Sequence, residues 1–449
     1  MDHFVYRPDR HDGGDHVAMH CEQLPAEEIA RLAGTPCYVY SKATLLEHYQ
    51  RLTAAFAPLA PLVCYSIKSC GNLSICKLLG EAGAGMDVVS GGELYRALAA
   101  GVPASRCVYA GVGKTDAEIE QALDAGLGAS GLGLFNVESE EEFENIARIA
   151  RRKNAVCNAA LRVNPDVDPK THRYTSTGKK ESKFGVDIER AKAFFRRFGR
   201  DPHCRLCGIH LHIGSPIYTT QPYVESVQKA TALIDELAAE GFTITTLDLG
   251  GGFGADYETD QSPTLAAYAD AIVPLLAARV LRGLKIILEP GRTLVANAGV
   301  LLTRVLYIKT SGEKTFAICD AGMNDLLRPS LYQAFHFIWP CRTTASFAPA
   351  RRAKDMAIDG LLPIDVVGPI CESGDFFAVD RPLPPLRRGD LLAIYTAGAY
   401  GMAMASRYNS TPLPAEVLVD GSTLAIVRKR ESYEDLIAHE RSPEPVVTG

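Results

Sequence analysis

Through the middle of the chain, short runs of β-branched and aromatic residues alternate with longer stretches whose apolar positions recur every three to four residues. The short runs fall at 63–68, 86–90, 107–111, 132–137, 160–164, 207–214, 246–250 and 285–289. Between them lie amphipathic stretches such as 139–151, 223–240 and 265–278, whose spacing predicts helices. Strands that alternate with helices are parallel. Eight such units in about 230 residues suit a (β/α)8 TIM-like barrel. A doubly wound open sheet produces the same alternation, because periodicity carries no information about closure.

Past Arg292 the helical period fades. Short β-like runs at 300–307, 316–319, 391–395 and 415–419 are separated by Pro382, Pro384, Pro385, Pro412 and Pro414. This texture predicts a second, mostly antiparallel β-domain. The first forty residues hold one β-like run, 37–41. The expected organisation is therefore a segment 1–43 that joins the β-domain, a barrel over 44–294, and the β-domain over 295–449.

Barrels of this kind carry their chemistry at the C-terminal ends of the strands. The predicted strand ends hold Lys68, Ser90, His212-Ile213-Gly214-Ser215, Gly250-Gly251-Gly252 and Glu289-Pro290-Gly291-Arg292. A lysine closing a buried strand is costly to desolvate unless it is paired or used covalently, and burial is one route to a nucleophilic amine. Taken alone, Lys68 also reads as a lysine snorkelling past a strand end, and Glu289 as a satisfied core carboxylate. The glycines after the seventh strand add a further hint, since loops after strands seven and eight often bind phosphate.

Two motifs point elsewhere and carry less weight. Gly250-Gly251-Gly252-Phe253-Gly254-Ala255 satisfies the loose dinucleotide pattern, which would suit a nicotinamide oxidoreductase. The acidic residue expected about 20 positions on falls at Asp270, inside a predicted helix rather than at a strand end. Cys204-Arg205-Leu206-Cys207 precedes His210 and His212, yet on a strand Cys207 faces away from both histidines, so no metal is expected.

Composition narrows the class. With 47 Lys+Arg against 53 Asp+Glu and a net charge of −6, the 449-residue chain has no basic excess for nucleic acid. No apolar run reaches membrane-spanning length and the N-terminus lacks a signal-like apolar core, so a soluble cytoplasmic protein is expected. Twelve cysteines scattered through apolar segments read as reduced core thiols.

An ordered set of motifs resembles the fold-type III pyridoxal phosphate-dependent decarboxylases, which share an alanine racemase-like architecture. It comprises Tyr65-Ser66-Ile67-Lys68, Asp87-Val88-Val89-Ser90-Gly91-Gly92-Glu93, His212-Ile213-Gly214-Ser215, Gly250-Gly251-Gly252 and Glu289-Pro290-Gly291-Arg292. It continues with Arg328-Pro329-Ser330-Leu331-Tyr332, Cys371-Glu372-Ser373-Gly374-Asp375 and Gly398-Ala399-Tyr400-Gly401. Within the family the chain most resembles the branch that converts meso-diaminopimelate to L-lysine and CO2.

The resemblance implies pyridoxal 5'-phosphate bound as a Schiff base to Lys68, with His212 stacked on its ring and Glu289 against its ring nitrogen. It also implies that Ser215, Gly250, Gly251, Gly252, Gly291 and Arg292 hold the phosphate end, with Tyr400 near cofactor and substrate. Arg292, Arg328 and Tyr332 would bind the substrate's distal carboxylate and Glu372 its ammonium. Cys371 would act as the acid that reprotonates Cα, reaching into the partner's site of a homodimer. Without its motif Cys371 would read as an inert buried thiol. Ser69-Cys70 and Pro216 depart from the usual family residues, which keeps open a related amino acid or carrier-linked substrate. A non-catalytic dimerisation partner would be expected to lack Lys68 or Cys371, and both are present. The polar loop 166–183 resembles the family's active-site-covering segment.

Overall fold

Closure is settled by one strand pair. In the computed structural model, which describes residues 2–9, 15–168 and 183–440, eight strands pair in parallel: β1 Leu62–Ser66, β2 Gly85–Val88, β3 Cys107–Tyr109, β4 Leu134–Val137, β5 Cys157–Asn164, β6 Cys204–His210, β7 Thr246–Asp248 and β8 Lys285–Leu288. Ile287 and Leu288 of β8 then register against Leu62 and Val63 of β1, so the sheet is a barrel rather than an open doubly wound one. Cys64, Val108, Leu134, Ala160 and Ile287 form one buried cluster contributed by five strands. Side chains of non-adjacent strands meet there only because the barrel interior is filled.

Local sequence accounts for the helices between the strands. Glu140–Arg152 begins on Ser139, whose hydroxyl accepts from the Glu142 N–H; its first turn is acidic and its last basic. Such a cap contributes about 1 kcal/mol, and the charges complement the helix dipole. Gln221–Ala239 and Leu265–Val280 follow, the latter capped by Thr264. Ser90 has a similar duty, capping Gly91–Ala99.

Six of the eight predicted strands run past the observed ones at their C-terminal ends, whereas those ending at Val137 and Asn164 stop where expected. After β1 the chain enters a tight 3₁₀ turn, Ile67–Ser69, closed by Ser69 Oγ donating to the Ser66 carbonyl at 2.7 Å. Lys68 therefore sits on a turn. Likewise β6 stops at His210, and His212 belongs to the irregular segment after it.

The chain divides into two compact units, Leu46–Ala255 with Asp260–Leu294, and Met1–Leu45 with Asp256–Thr259 and Val295–Gly449. The second is built around the long strand Gly299–Ser311, which pairs antiparallel with Lys314–Cys319, Leu391–Ile394 and Cys37–Ser41. Two of its pairings are parallel, Cys37–Ser41 with Ala415–Asp420 and Lys314–Cys319 with Leu362–Val367. A small separate sheet contains Phe4–Pro8, His16–Cys21, Leu24–Pro25 and Arg342–Thr344. Most of the loop 166–183 singled out above, residues 169–182, lies outside the described residues. Among the described residues no helix is long and apolar enough to cross a membrane.

Candidate active site

At the C-terminal mouth of the barrel, an amine and a buried carboxylate are linked through a short hydrogen-bonded chain. Lys68 Nζ lies 3.0 Å from Asp87 Oδ2, with Asp87 fully buried at the end of β2. Ser66 Oγ donates to the same Asp87 oxygen and lies 3.2 Å from the Glu289 carbonyl. Burial and the nearby Glu289 charge push the Asp87 carboxyl upward, while Lys68 and Ser66 oppose that rise.

Glu289, just past β8, is 3% exposed and sits among polar side chains from other strands. Its Oε2 is 3.3 Å from His210 Nε2, and its Oε1 accepts from Asn136 Nδ2 at 3.1 Å. Burial alone would raise its pKa, but the hydrogen-bonded His210 and the Lys68 charge hold the group well below the usual carboxylate range. Asp248, at the end of β7, goes the other way, pushed well up by burial and by the adjacent Glu289 charge. Two carboxyls this close in a dry site do not both ionise. The environment favours the anion at Glu289 and the protonated form at Asp248. His210, Asp248 and Glu289 also bring three donor atoms within 4.8 Å of one another, a spacing a metal could use. His210 and Asn136 already hydrogen-bond Glu289, and Asn136 also reaches Asp248 Oδ2 at 3.3 Å.

The glycine run follows β7 and packs against the same wall. Gly252 adopts φ +98°, a left-handed conformation in which an added Cβ would lie 2.4 Å from the Gly214 carbonyl oxygen. A Cβ on Gly251 would lie 2.2 Å from the Glu289 carbonyl oxygen. The N–H groups of Gly250 and Gly251 already meet Asp248 Oδ1 at 2.9 Å and His212 Nδ1 at 3.3 Å, so these two glycines contribute the tight turn itself. Tyr223 Oη braces it by donating to the Gly251 carbonyl at 2.9 Å. Because His212 Nδ1 accepts from an N–H, the ring is neutral. Burial, then Arg162 and Lys68, push it well below the ordinary histidine value. Arg292, 6% exposed, donates through Nε to Ser215 Oγ at 3.2 Å, and Gly291 packs against Ser66 and Ser69.

These residues fit a pyridoxal phosphate: a primary amine for its aldehyde, an ionised buried acid for its ring nitrogen, a neutral imidazole, and a glycine turn beside Ser215 and Arg292 for its anionic end. Lys68, His212, Ser215, Gly250, Gly251, Gly252, Glu289, Gly291 and Arg292 are brought together on the barrel unit. Asp87, Asn136, His210 and Asp248 complete the site and were not singled out as site residues from the sequence. Arg162 supports it from beneath, paired with Glu138 at 3.1 Å and reaching the His212 carbonyl at 3.4 Å.

The remaining candidates lie on the other unit. Arg328 and Tyr332 are on the short helix Arg328–Tyr332, with Arg328 buried. Cys371 and Glu372 occupy a loop pinned by Asp375, whose two oxygens accept from the Met323 N–H at 2.7 Å and the Ile370 N–H at 2.6 Å. Ser330 Oγ donates to the Gly374 carbonyl at 2.6 Å, which ties this loop to the Arg328 helix. Tyr408 Oη donates to Glu372 Oε1 at 2.5 Å. Cys371 is the exposed one of the twelve cysteines, so the inert buried-thiol reading is wrong for it. Tyr400 adopts a left-handed φ of +56°.

The profile of the pyridoxal-binding domain of pyridoxal-dependent decarboxylases matches residues 42–296. The chain is 46% identical over 424 residues to diaminopimelate decarboxylase of Neisseria meningitidis serogroup A, covering 94% of this chain and 99% of that protein. With the Pseudomonas aeruginosa diaminopimelate decarboxylase it shares 43% identity, covering 98% and 99%. The solved diaminopimelate decarboxylase from Helicobacter pylori complexed with L-lysine superposes with a TM-score of 0.83 at 40% identity, covering 92% of this chain and 98% of that one. On a shared barrel mouth and near-full-length identity, the chain belongs to the diaminopimelate decarboxylase family of pyridoxal-dependent decarboxylases.

Proposed function

We propose that the protein removes CO2 from meso-2,6-diaminopimelate to form L-lysine, with pyridoxal 5'-phosphate as cofactor. The observation that carries this reading is the Lys68 amine set in one barrel mouth with Glu289, a buried carboxyl that meets His210 and Asn136. The substrate is supported by near-full-length relatives that bear the diaminopimelate decarboxylase name at 40–46% identity.

Bound to Lys68, the cofactor would supply an electron-withdrawing ring that accepts the electron pair left when CO2 departs. The protein's own groups do the rest. Lys68 Nζ would hold the cofactor at its aldehyde carbon and would give that carbon up to the substrate amine. Glu289 would face the ring nitrogen and favour its protonated form, and His212 would lie against the ring. Ser215, Gly252, Gly291 and Arg292 would hold the phosphate end, on the turn that Gly250 and Gly251 shape, with Tyr400 nearby. Arg292, Arg328 and Tyr332 take the distal carboxylate, where a guanidinium can bind bidentately, and Glu372 takes the distal ammonium. Cys371 Sγ delivers the proton to Cα. In this reading the enzyme is a homodimer in which Cys371 and Glu372 complete the partner's site. Its twelve free cysteines suit a reducing cytoplasm.

Lysine or ornithine as substrate would offer no distal carboxylate to two arginines. The departure at Ser69 has a structural use, since its buried hydroxyl closes the turn under Lys68. The deciding experiment is CO2 release from meso-diaminopimelate, L-lysine and L-ornithine in competition. Release from meso-diaminopimelate is expected, and preferential release from either of the others would overturn the substrate assignment.

Two variants probe the division of labour. Glu289→Gln keeps the shape but removes the charge, and kcat is expected to fall about 10²- to 10³-fold, the scale for one preorganised electrostatic group. Arg328→Met is expected to raise KM for meso-diaminopimelate about 10- to 100-fold through loss of a charge-assisted contact. Steady-state kinetics read both.

A further inference from the structure

Tyr408 and Glu372 both lie exposed on the same unit, yet the phenol oxygen donates to Glu372 Oε1 at 2.5 Å, a charge-assisted length. Both ends of that contact are fixed from behind. Glu372 donates its N–H to the Ile370 carbonyl at 2.8 Å and accepts at its own carbonyl from the Asp375 N–H at 3.1 Å. Tyr408 opens a turn in which Asn409 and Ser410 both hold a left-handed φ of +54°, a costly backbone for residues other than glycine. The turn is held by its flanks. Arg407 donates through Nε and Nη2 to the two oxygens of Glu431 at 3.0 and 2.9 Å, and the Ser406 N–H donates to the Asn324 carbonyl at 2.8 Å. Glu431 also accepts from the Leu413 N–H at 3.2 Å, which ties down the far side of the turn.

Ordering two exposed side chains costs rotamer entropy, and a hydrogen bond at the surface returns little stability. A strained turn and a pinned loop that together aim one phenol at one carboxylate therefore point to recognition. We infer that Tyr408 is a positioning residue that sets the Glu372 carboxylate for the substrate's distal ammonium. The inference rests on the role of Glu372 proposed above and extends it from the group that meets substrate to the group that holds it. A phenol suits the task because it donates one hydrogen bond and adds no positive charge, so the tether does not compete with an ammonium for the carboxylate's charge. An ionised carboxylate accepts at about four lone-pair sites, and one phenol on Oε1 occupies a single one of them. Geometry set before binding lowers the ordering cost of binding, and a flexible glutamate side chain has much of that cost to lose.

The test is calorimetric titration of the holoenzyme with L-lysine and with 6-aminohexanoate, which keeps the carboxylate and the far amine but lacks the α-ammonium. Tyr408→Phe keeps the ring and loses the donor. It is expected to weaken L-lysine binding about 5- to 20-fold and to leave 6-aminohexanoate within about twofold. KM for meso-diaminopimelate should rise by the same factor, with kcat within about twofold of the parent. In a Glu372→Gln background the same substitution should change L-lysine affinity by less than about twofold, because the charge it positions is already gone. Equal weakening of both ligands by Tyr408→Phe, no weakening of either, or an undiminished effect in the Glu372→Gln background would overturn the inference. If Glu372→Gln removes the preference for L-lysine over 6-aminohexanoate but Tyr408→Phe leaves it intact, the inference alone fails. If Glu372→Gln leaves that preference intact, the reading of Glu372 fails and takes the inference with it.

Discussion

A Lys68→Ala protein is expected to lose covalently held pyridoxal and decarboxylation together, with kcat lower by about 10⁴-fold or more. The magnitude follows from one amine having two jobs, anchoring the cofactor and exchanging it with the substrate amine. The fold should survive, because the Lys68 side chain is 35% exposed and its turn is held by Ser69 and Tyr65 rather than by the ammonium. Its loss leaves Asp87 buried without its cation, and that carboxyl, already pushed upward by burial, would take up a proton instead. Lys68→Arg should fail equally, since a guanidinium keeps its proton and forms no imine. The visible absorption of the purified protein and the mass of the borohydride-reduced chain report the anchor directly. A Lys68→Ala chain that still gains the mass of pyridoxal, or still releases CO2 at the parent rate, would defeat the assignment.

Cys371→Ala is the second large effect, an expected fall in kcat of about 10²- to 10⁴-fold with little change in KM, the range for a positioned general acid. Cys371 differs from the other cysteines in being exposed, on a loop whose backbone is fixed by both oxygens of Asp375. Exposure in the single chain and rigidity of the loop are what a residue completing a neighbour's site requires. In the proposed homodimer, mixing Lys68→Ala with Cys371→Ala subunits should therefore restore activity, up to about a quarter of the parent level, by forming one intact site in mixed dimers. Mixtures with no more activity than the separate variants would rule out sharing.

Much of the fold was legible because alternation between a period of two and a period near 3.6 survives in the residues themselves. Strand ends were less legible. Ile67 and Ile213 continue the apolar texture past the last ladder bond, and only the turn closed by Ser69 shows where β1 stops. Lys68 and Glu289 stood out because an ionisable group at a buried strand end carries an evident desolvation cost. The glycines stood out by their number.

Asp87, Asn136, His210 and Asp248 carried a signal of the same kind, each a polar residue at or near the C-terminal end of a strand. Asp87 meets Ser66 and Lys68, 21 and 19 positions away, but the other three depend on partners 79 to 153 positions away: His210 and Asn136 reach Glu289 across those distances, and Asn136 also reaches Asp248 at 112.

Local sequence by itself determined the βα order, the helix caps, the amine, the acid and the glycine turn, because each follows from interactions within a few residues or from a single side chain's solvation. Tertiary structure alone decided that the sheet closes and that the environments of two neighbouring carboxyls, Glu289 and Asp248, push their acidities in opposite directions. Those outcomes depend on side chains from distant strands meeting in one low-dielectric space, where Coulomb and hydrogen-bond energies are set by distances that only the folded chain defines.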